Sequence, residues 1–325
     1  MTTDKSEKTD AISIVIPVYN SEEIVDELYR RLTKALGLIT TNYEIIYVND
    51  CSPDNSWEKI SRIAESDNHI KAILLRKNVG YDNALMAGLR YAGKTYVVIM
   101  DDDLQYAPED IQYLLKYIKK GYDVVYGDLL NKRDSITKKL GSWFNGKIAR
   151  IILKKPANIY LSPFKIFRNE IAHEIIKYDG PFPYIDGLIF QVTSSIDQVI
   201  VSHFKRASGS GGHGLFRSLR IMMNFCTTFS ILPLRISTVT GFIISLVAFS
   251  FSITLIVWKL WFNIDVEGWA SIMLGILGMG GIQLMSLGIL GEYIGRAYLN
   301  INRKPQYVIK DRLNASSPCP GQKQQ

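Results

Sequence analysis

An α/β domain with a mainly parallel sheet, followed by an amphipathic helix and a two-helix membrane hairpin, is the fold class the sequence predicts. Three observations lead there. Between residues 11 and 206 short β-rich apolar runs alternate with stretches of helical periodicity, the pattern of parallel strands joined by crossover helices. Two long uncharged runs, 236–258 and 268–291, come only after residue 235. Basic residues flank those runs rather than forming an arginine-rich block interleaved with aromatics. The net charge of +7 therefore speaks for a membrane surface and not for nucleic acid.

Residues 1–10 are polar and lack an apolar centre, so they read as a disordered tail and not as a signal peptide or a first span. Strands are expected at 12–18, 43–49, 71–75, 96–100 and 123–126. The first helix follows from Val25, Leu28, Leu32 and Leu36 at spacings of three and four, with Ser21 as its cap and Glu22 and Glu23 in its first turn. The globular domain runs over 11–210. In 211–232, Leu215, Leu219, Met222, Cys226 and Phe229 share one stripe, which suits a helix on the membrane surface or one packed on the soluble domain. The hairpin occupies 233–300. Each uncharged run, at about 1.5 Å per residue, covers a bilayer core of roughly 30 Å, which favours spans over two buried helices of a soluble core. Arg217, Arg220 and Arg235 precede the hairpin, and Arg296, Arg303, Lys304, Lys310 and Arg312 follow it. Both chain ends are thus expected in the cytoplasm, with 301–325 as a tail. Three cysteines far apart make neither a disulfide framework nor a zinc site, and fit a reducing compartment.

Chemistry concentrates where strands end. Asp101-Asp102-Asp103-Leu104-Gln105 follows the fourth strand, and ligands of open α/β sheets bind at carboxyl ends of strands. Adjacent carboxylates repel, so a cation should neutralise them. All-oxygen donors favour Mg²⁺ or Mn²⁺, which would clamp a diphosphate. Pro17, Tyr19 and Asn20 end the first strand, Asp50 the second, and Asn78 with Gly80 the third. Asp50 can accept hydrogen bonds from a base and Tyr19 can contact a flat ring. Ser52 with Pro53 reads equally as a helix start. Gly209, Gly211 and Gly214 match a dinucleotide fingerprint in form, but no βαβ unit follows them, and a loop closing over substrate is the better reading.

Together, Val15-Ile16-Pro17-Val18-Tyr19-Asn20, Asp50 with Ser52 and Asp54, Asn78 with Gly80, the Asp101–Gln105 run and Leu290-Gly291-Glu292-Tyr293-Ile294-Gly295-Arg296 resemble inverting glycosyltransferase family 2, within it the polyprenyl-phosphate group. The resemblance covers about residues 11–307. It implies a glycosyltransferase A-type domain, and transfer from a nucleotide diphosphate sugar, a UDP-sugar foremost, to undecaprenyl phosphate at the bacterial inner membrane. It implies Asp101, Asp103 and Gln105 as metal ligands and Pro17, Tyr19, Asn20, Asp50, Asn78, Gly80, Asp101 and Asp102 around the nucleotide sugar. Two-span anchors of this kind often associate, so a homo-oligomer is expected.

Three departures bear on catalysis. Ile159 stands where the family often has an Asp proposed as base. Only Arg206 and Gly209 match the motif at 206–213, and Leu129 replaces a common Arg. The loss of a base matters less than it would for a sugar hydroxyl, because a phosphate monoester with a second pKa of about 6 is largely ionised at neutral pH. Lys205 and Arg206 are the candidates for the acceptor phosphate, and Asp103, Arg206 and Asp186 for catalysis, Asp186 as substitute base. Two other readings stay open: a catalytically silent membrane scaffold, and a transferase with a glycan acceptor.

Overall fold

The computed structural model describes residues 10–129, 159–202, 232–262, 268–302 and 304–315. The expected sites Lys205 and Arg206, the glycine-rich loop and residues 211–231 of the expected interface helix lie outside them. The chain divides into two units, residues 1–212 with 303–325, and residues 213–302.

The first unit is built on one sheet. Its strands are β1 (Ile12–Val18), β2 (Tyr43–Asn49), β3 (Ile70–Leu75), β4 (Tyr96–Ile99), β5 (Val124–Leu129), β6 (Lys165–Arg168), β7 (Ile196–Val201) and β8 (Ile309–Leu313). Their order is β7-β5-β6-β4-β1-β2-β3-β8. Pairs β1·β2, β1·β4, β2·β3 and β5·β7 are parallel, and only β6 and β8 run against the rest. The burial of β1 throughout and of β2 after Tyr43 explains the near-continuous apolar runs in the sequence, since helices cover both faces. On one face α1 (Val25–Gly37), α2 (Ser56–Ser66) and α4 (Ile111–Ile118) pack with Ile14, Ile16 and Tyr47. On the other, α3 (Tyr81–Leu89), α5 (Asn169–Ile175) and α6 (Ile185–Val192) pack with Val15, Val48 and Phe167.

Two expectations about helix starts are corrected. Ser21 does not cap α1, which begins at Val25 after Ile24; its hydroxyl is instead committed to Asp102. Ser52 does not cap α2, which begins at Ser56; its hydroxyl accepts the Asn20 N–H and donates to Asp54. In both cases a contact between loops outweighs the local cap. The segment expected as a free tail also differs. Residues 309–313 form β8 on the edge of β3, Ala315 is buried, and Gln306 donates to the carbonyls of Tyr178 and Gly180 at 2.8 Å each. A bare β3 edge would leave unpaired backbone groups, which β8 satisfies.

The second unit holds α7 (Leu232–Phe262) and α8 (Trp269–Ile301), of 31 and 33 residues. The Ser237 hydroxyl donates to that of Ser286 at 2.9 Å, joining the two helices. Among the described residues no helix is long and apolar enough to cross a membrane. The described side chains of the two helices include outward-facing Phe242, Leu246, Phe249, Ile276, Leu284 and Leu287.

Candidate active site

Four loops meet at the carboxyl ends of β1, β2, β3 and β4, and side chains rather than backbone pairs fasten them. Asp50, 4% exposed, accepts the Val79 N–H at 2.8 Å on one oxygen and the Gly80 N–H at 2.9 Å on the other. It thus shapes the β3–α3 turn, where Gly80 takes φ +87°, a conformation that suits glycine. Burial raises the Asp50 carboxyl above its ordinary range despite those two amides. Asp102 joins the first loop to the fourth, accepting the Tyr19 N–H at 3.2 Å and the Ser21 O–H at 2.5 Å. Asp50 and Asp102 both have backbone to hold, whatever they do toward a ligand.

The acidic run is a turn with Leu104 at φ +56°. A leucine in the left-handed region is strained, and here its side chain packs against the core shared by α1, α2 and α4, which holds the turn in place. The Gln105 amide donates to Asp103 Oδ2 at 2.7 Å, and its backbone N–H to Oδ1 at 3.1 Å. Tyr81, at the start of α3, donates its hydroxyl to Asp101 Oδ1 at 2.8 Å. Burial pushes the Tyr81 hydroxyl well up, so it remains a proton donor at neutral pH. Burial first, then the nearby Asp103 and Asp102, push Asp101 up to about 6.

Around this edge Tyr19 is 51% exposed and Asn78 is exposed, whereas Pro17 is buried within β1 opposite Val48. Asp186, at the start of α6, is ion-paired with Lys165 and accepts the Tyr126 hydroxyl at 2.9 Å on the same oxygen. That oxygen already holds a cation and a hydroxyl proton, a poor arrangement for drawing a proton from an acceptor. Ile159 is buried among apolar residues of the α3 face. Sequence reasoning missed Tyr81, Asp82 and Lys165. No spacing signals them, because they reach the site through strand pairing and helix packing.

Among the described residues, no three His, Cys, Asp or Glu side chains converge to hold a metal ion. The donor set still suits Mg²⁺ or Mn²⁺, since such ions take one or two carboxylates and complete their shell with substrate phosphates and water. The adjacent Asp101 and Asp103, with the Gln105 amide beside Asp103, offer such a donor set.

An open parallel sheet with ligand-holding loops at its strand ends, an acidic turn after β4 and two reversed strands define a glycosyltransferase A-type domain. The chain belongs to glycosyl transferase family 2, whose profile matches residues 13–176. It is 33% identical over 313 residues, 95% of this chain and 96% of the relative, to an undecaprenyl-phosphate 4-deoxy-4-formamido-L-arabinose transferase of Yersinia pestis (strain Pestoides F). It is 32% identical over 307 residues to an uncharacterized glycosyltransferase of Synechocystis, covering 93% of this chain and 96% of that one. Among solved structures, glucosyl-3-phosphoglycerate synthase from Mycobacterium tuberculosis, crystallised with Mn²⁺, UDP and phosphoglyceric acid, shares the fold at a TM-score of 0.51. The identity is 16%, over 67% of this chain and 77% of that one.

Proposed function

We propose that this protein transfers a sugar, with inversion, from a nucleotide diphosphate sugar, UDP-linked foremost, to undecaprenyl phosphate at the cytoplasmic face of the bacterial inner membrane. The observation that carries the reading is the Asp101–Gln105 turn, fixed at the sheet edge beside the loops of Tyr19 and Asp50. The whole-length likeness to undecaprenyl-phosphate transferases supports the acceptor.

Asp101 and Asp103, with Gln105, would hold Mg²⁺ or Mn²⁺; when bound, the ion supplies positive charge to the departing diphosphate. Asp102 and Asp50 keep the loops in register around the donor. Tyr19 offers its exposed ring to the base. Arg206, with Lys205, would orient the acceptor phosphate, whose ionised oxygen attacks the anomeric carbon without a strong base. That dispenses with an Asp at the place of Ile159 and leaves Asp186 to its ion pair.

We place the hairpin in the membrane for two reasons. Its long helices turn large apolar side chains outward, which water would not tolerate in such number. Moreover β7 and β8, before and after it in sequence, belong to one sheet, so the chain must return to the side it left. Only an even number of spans satisfies that.

The test is transfer of label from UDP-, GDP- and dTDP-sugars to undecaprenyl phosphate, extracted into organic solvent, with Mn²⁺ or Mg²⁺ and with chelator. Metal-dependent labelling of one lipid is expected, and Asp103→Ala should abolish it while the protein stays folded. Nucleotide binding without transfer from any donor would overturn the acceptor assignment and favour a glycan acceptor or a silent scaffold.

A further inference from the structure

A buried ion pair lies against the candidate donor site with no part in the chemistry above. Lys165, 2% exposed, opens β6, and its ammonium meets Asp186 and lies 5.2 Å from the centroid of the Tyr126 ring. An apolar residue would fill this position without the cost of burying a charge. What the pair does is close a ring of four segments. Lys165 stands opposite Ile99 in the β4·β6 register, two residues before Asp101. Its partner Asp186 follows Ile185, whose N–H donates to Asp82 Oδ1 at 3.1 Å. Asp82 follows Tyr81, whose hydroxyl holds Asp101 at 2.8 Å. The path β6, α6, α3 and the turn after β4 thus begins and ends at the acidic turn.

We propose that Lys165 is a positioning residue: through Asp186 it fixes α6, hence α3 and Tyr81, and so sets where Asp101 stands for the donor diphosphate. Cutting the ring at Lys165 then changes ligand binding in a protein that is still folded. A lysine that only stabilises the core would change the melting temperature and leave binding by the folded protein untouched.

This rests on the donor site proposed above, so the experiment carries a control for each. UDP binding in the presence of Mn²⁺ is measured by calorimetry on full-length protein in detergent, at a temperature where each variant is folded. Asp103→Ala should remove the Mn²⁺-dependent part of binding; if that part persists, the donor-site reading itself fails. With that control sound, Lys165→Met should raise the Kd for UDP with Mn²⁺ by about fivefold or more, the lower end of coupling between linked sites. Lys165→Arg, which keeps the cation, should restore most of it. Should Lys165→Met not fold, Asp186→Asn cuts the same link with little change of shape and is read in its place. A Kd at the wild-type value in Lys165→Met, or in Asp186→Asn where that is the variant read, overturns the proposal.

Discussion

Gly88 on α3 offers a sharp test of how the site is held. A Cβ placed there would lie 2.9 Å from Val48 Cγ2 and nearer still to Val15 Cγ1. Carbon atoms in good contact sit about 3.5–4.0 Å apart, so relief demands a movement of about 1 Å. Neither valine can give easily, because both are on central strands, fully buried and β-branched. Two effects oppose each other in Gly88→Ala. Replacing a helical glycine by alanine gains about 1 kcal/mol of helix propensity. Overpacking costs about 1–3 kcal/mol, and the double clash with stiff neighbours puts this case at the upper end. The expected net loss is about 2 kcal/mol, which for a domain of this size lowers Tm by about 4–8 °C. If α3 rides outward, Tyr81 and Asp82 go with it, so UDP binding with Mn²⁺ should weaken as well. Thermal unfolding and calorimetry on the full-length protein measure both. A variant as stable as wild type, with unchanged binding, would refute the claim that α3 packs this closely and that its seating governs the site.

Other expectations follow from charge and hydrogen bonding. Burial pushes both Asp101 and Asp82 up to about 6, so the metal-free folded domain binds more protons than the unfolded chain from about pH 4 to 6. The stability they contribute is full below about pH 4 and lost as pH rises through about 6. Asp82→Asn should flatten that part of the Tm–pH curve. Cation binding runs the other way, since it needs an ionised Asp101: UDP binding with Mn²⁺ should weaken as pH falls below about 6, seen by calorimetry across that range. Glu44 is buried, and although burial pushes its carboxyl up, the Gly93 N–H, the Lys71 ammonium and the Ser13 hydroxyl outweigh that and hold it down. Its stabilisation is therefore present above about pH 4.5 and lost as pH falls through its lowered value. Glu44→Ala takes the shared acceptor from the Gly93 N–H, the Ser13 hydroxyl and the Lys71 ammonium, and should cost about 3 kcal/mol, read as a lower Tm with site binding intact. Gln306→Ala removes two hydrogen bonds to the Tyr178–Gly180 backbone and should cost about 1–2 kcal/mol, again read from Tm.

Much of the fold was legible in the chain because local patterns carry it. The expected strands at 12–18 and 43–49 coincide with β1 and β2, since buried parallel strands write themselves as apolar runs. Val25, Leu28, Leu32 and Leu36 are the buried stripe of α1. The acidic run stood out because repelling carboxylates at a strand end are costly without a ligand. The helix starts were misread where a serine had two uses, and a contact with another loop won over the cap. Strand β8 was invisible for another reason. Five residues with three charges have no core pattern of their own and become a strand only because the β3 edge is there to pair with.

What the sequence determined by itself is what depends on neighbours along the chain: the α/β alternation, the acidic turn and the turn at Asn78–Gly80. What only the tertiary structure decided is which carboxylates hold backbone and which are paired with other side chains. Asp50 and Asp102 fasten loops, Asp186 belongs to Lys165, and Asp101 is held by Tyr81, partners between 20 and 83 residues apart in sequence. A carboxylate's role depends on the charge and donors within a few ångströms, and in a crossover sheet those come from distant segments that no periodicity records.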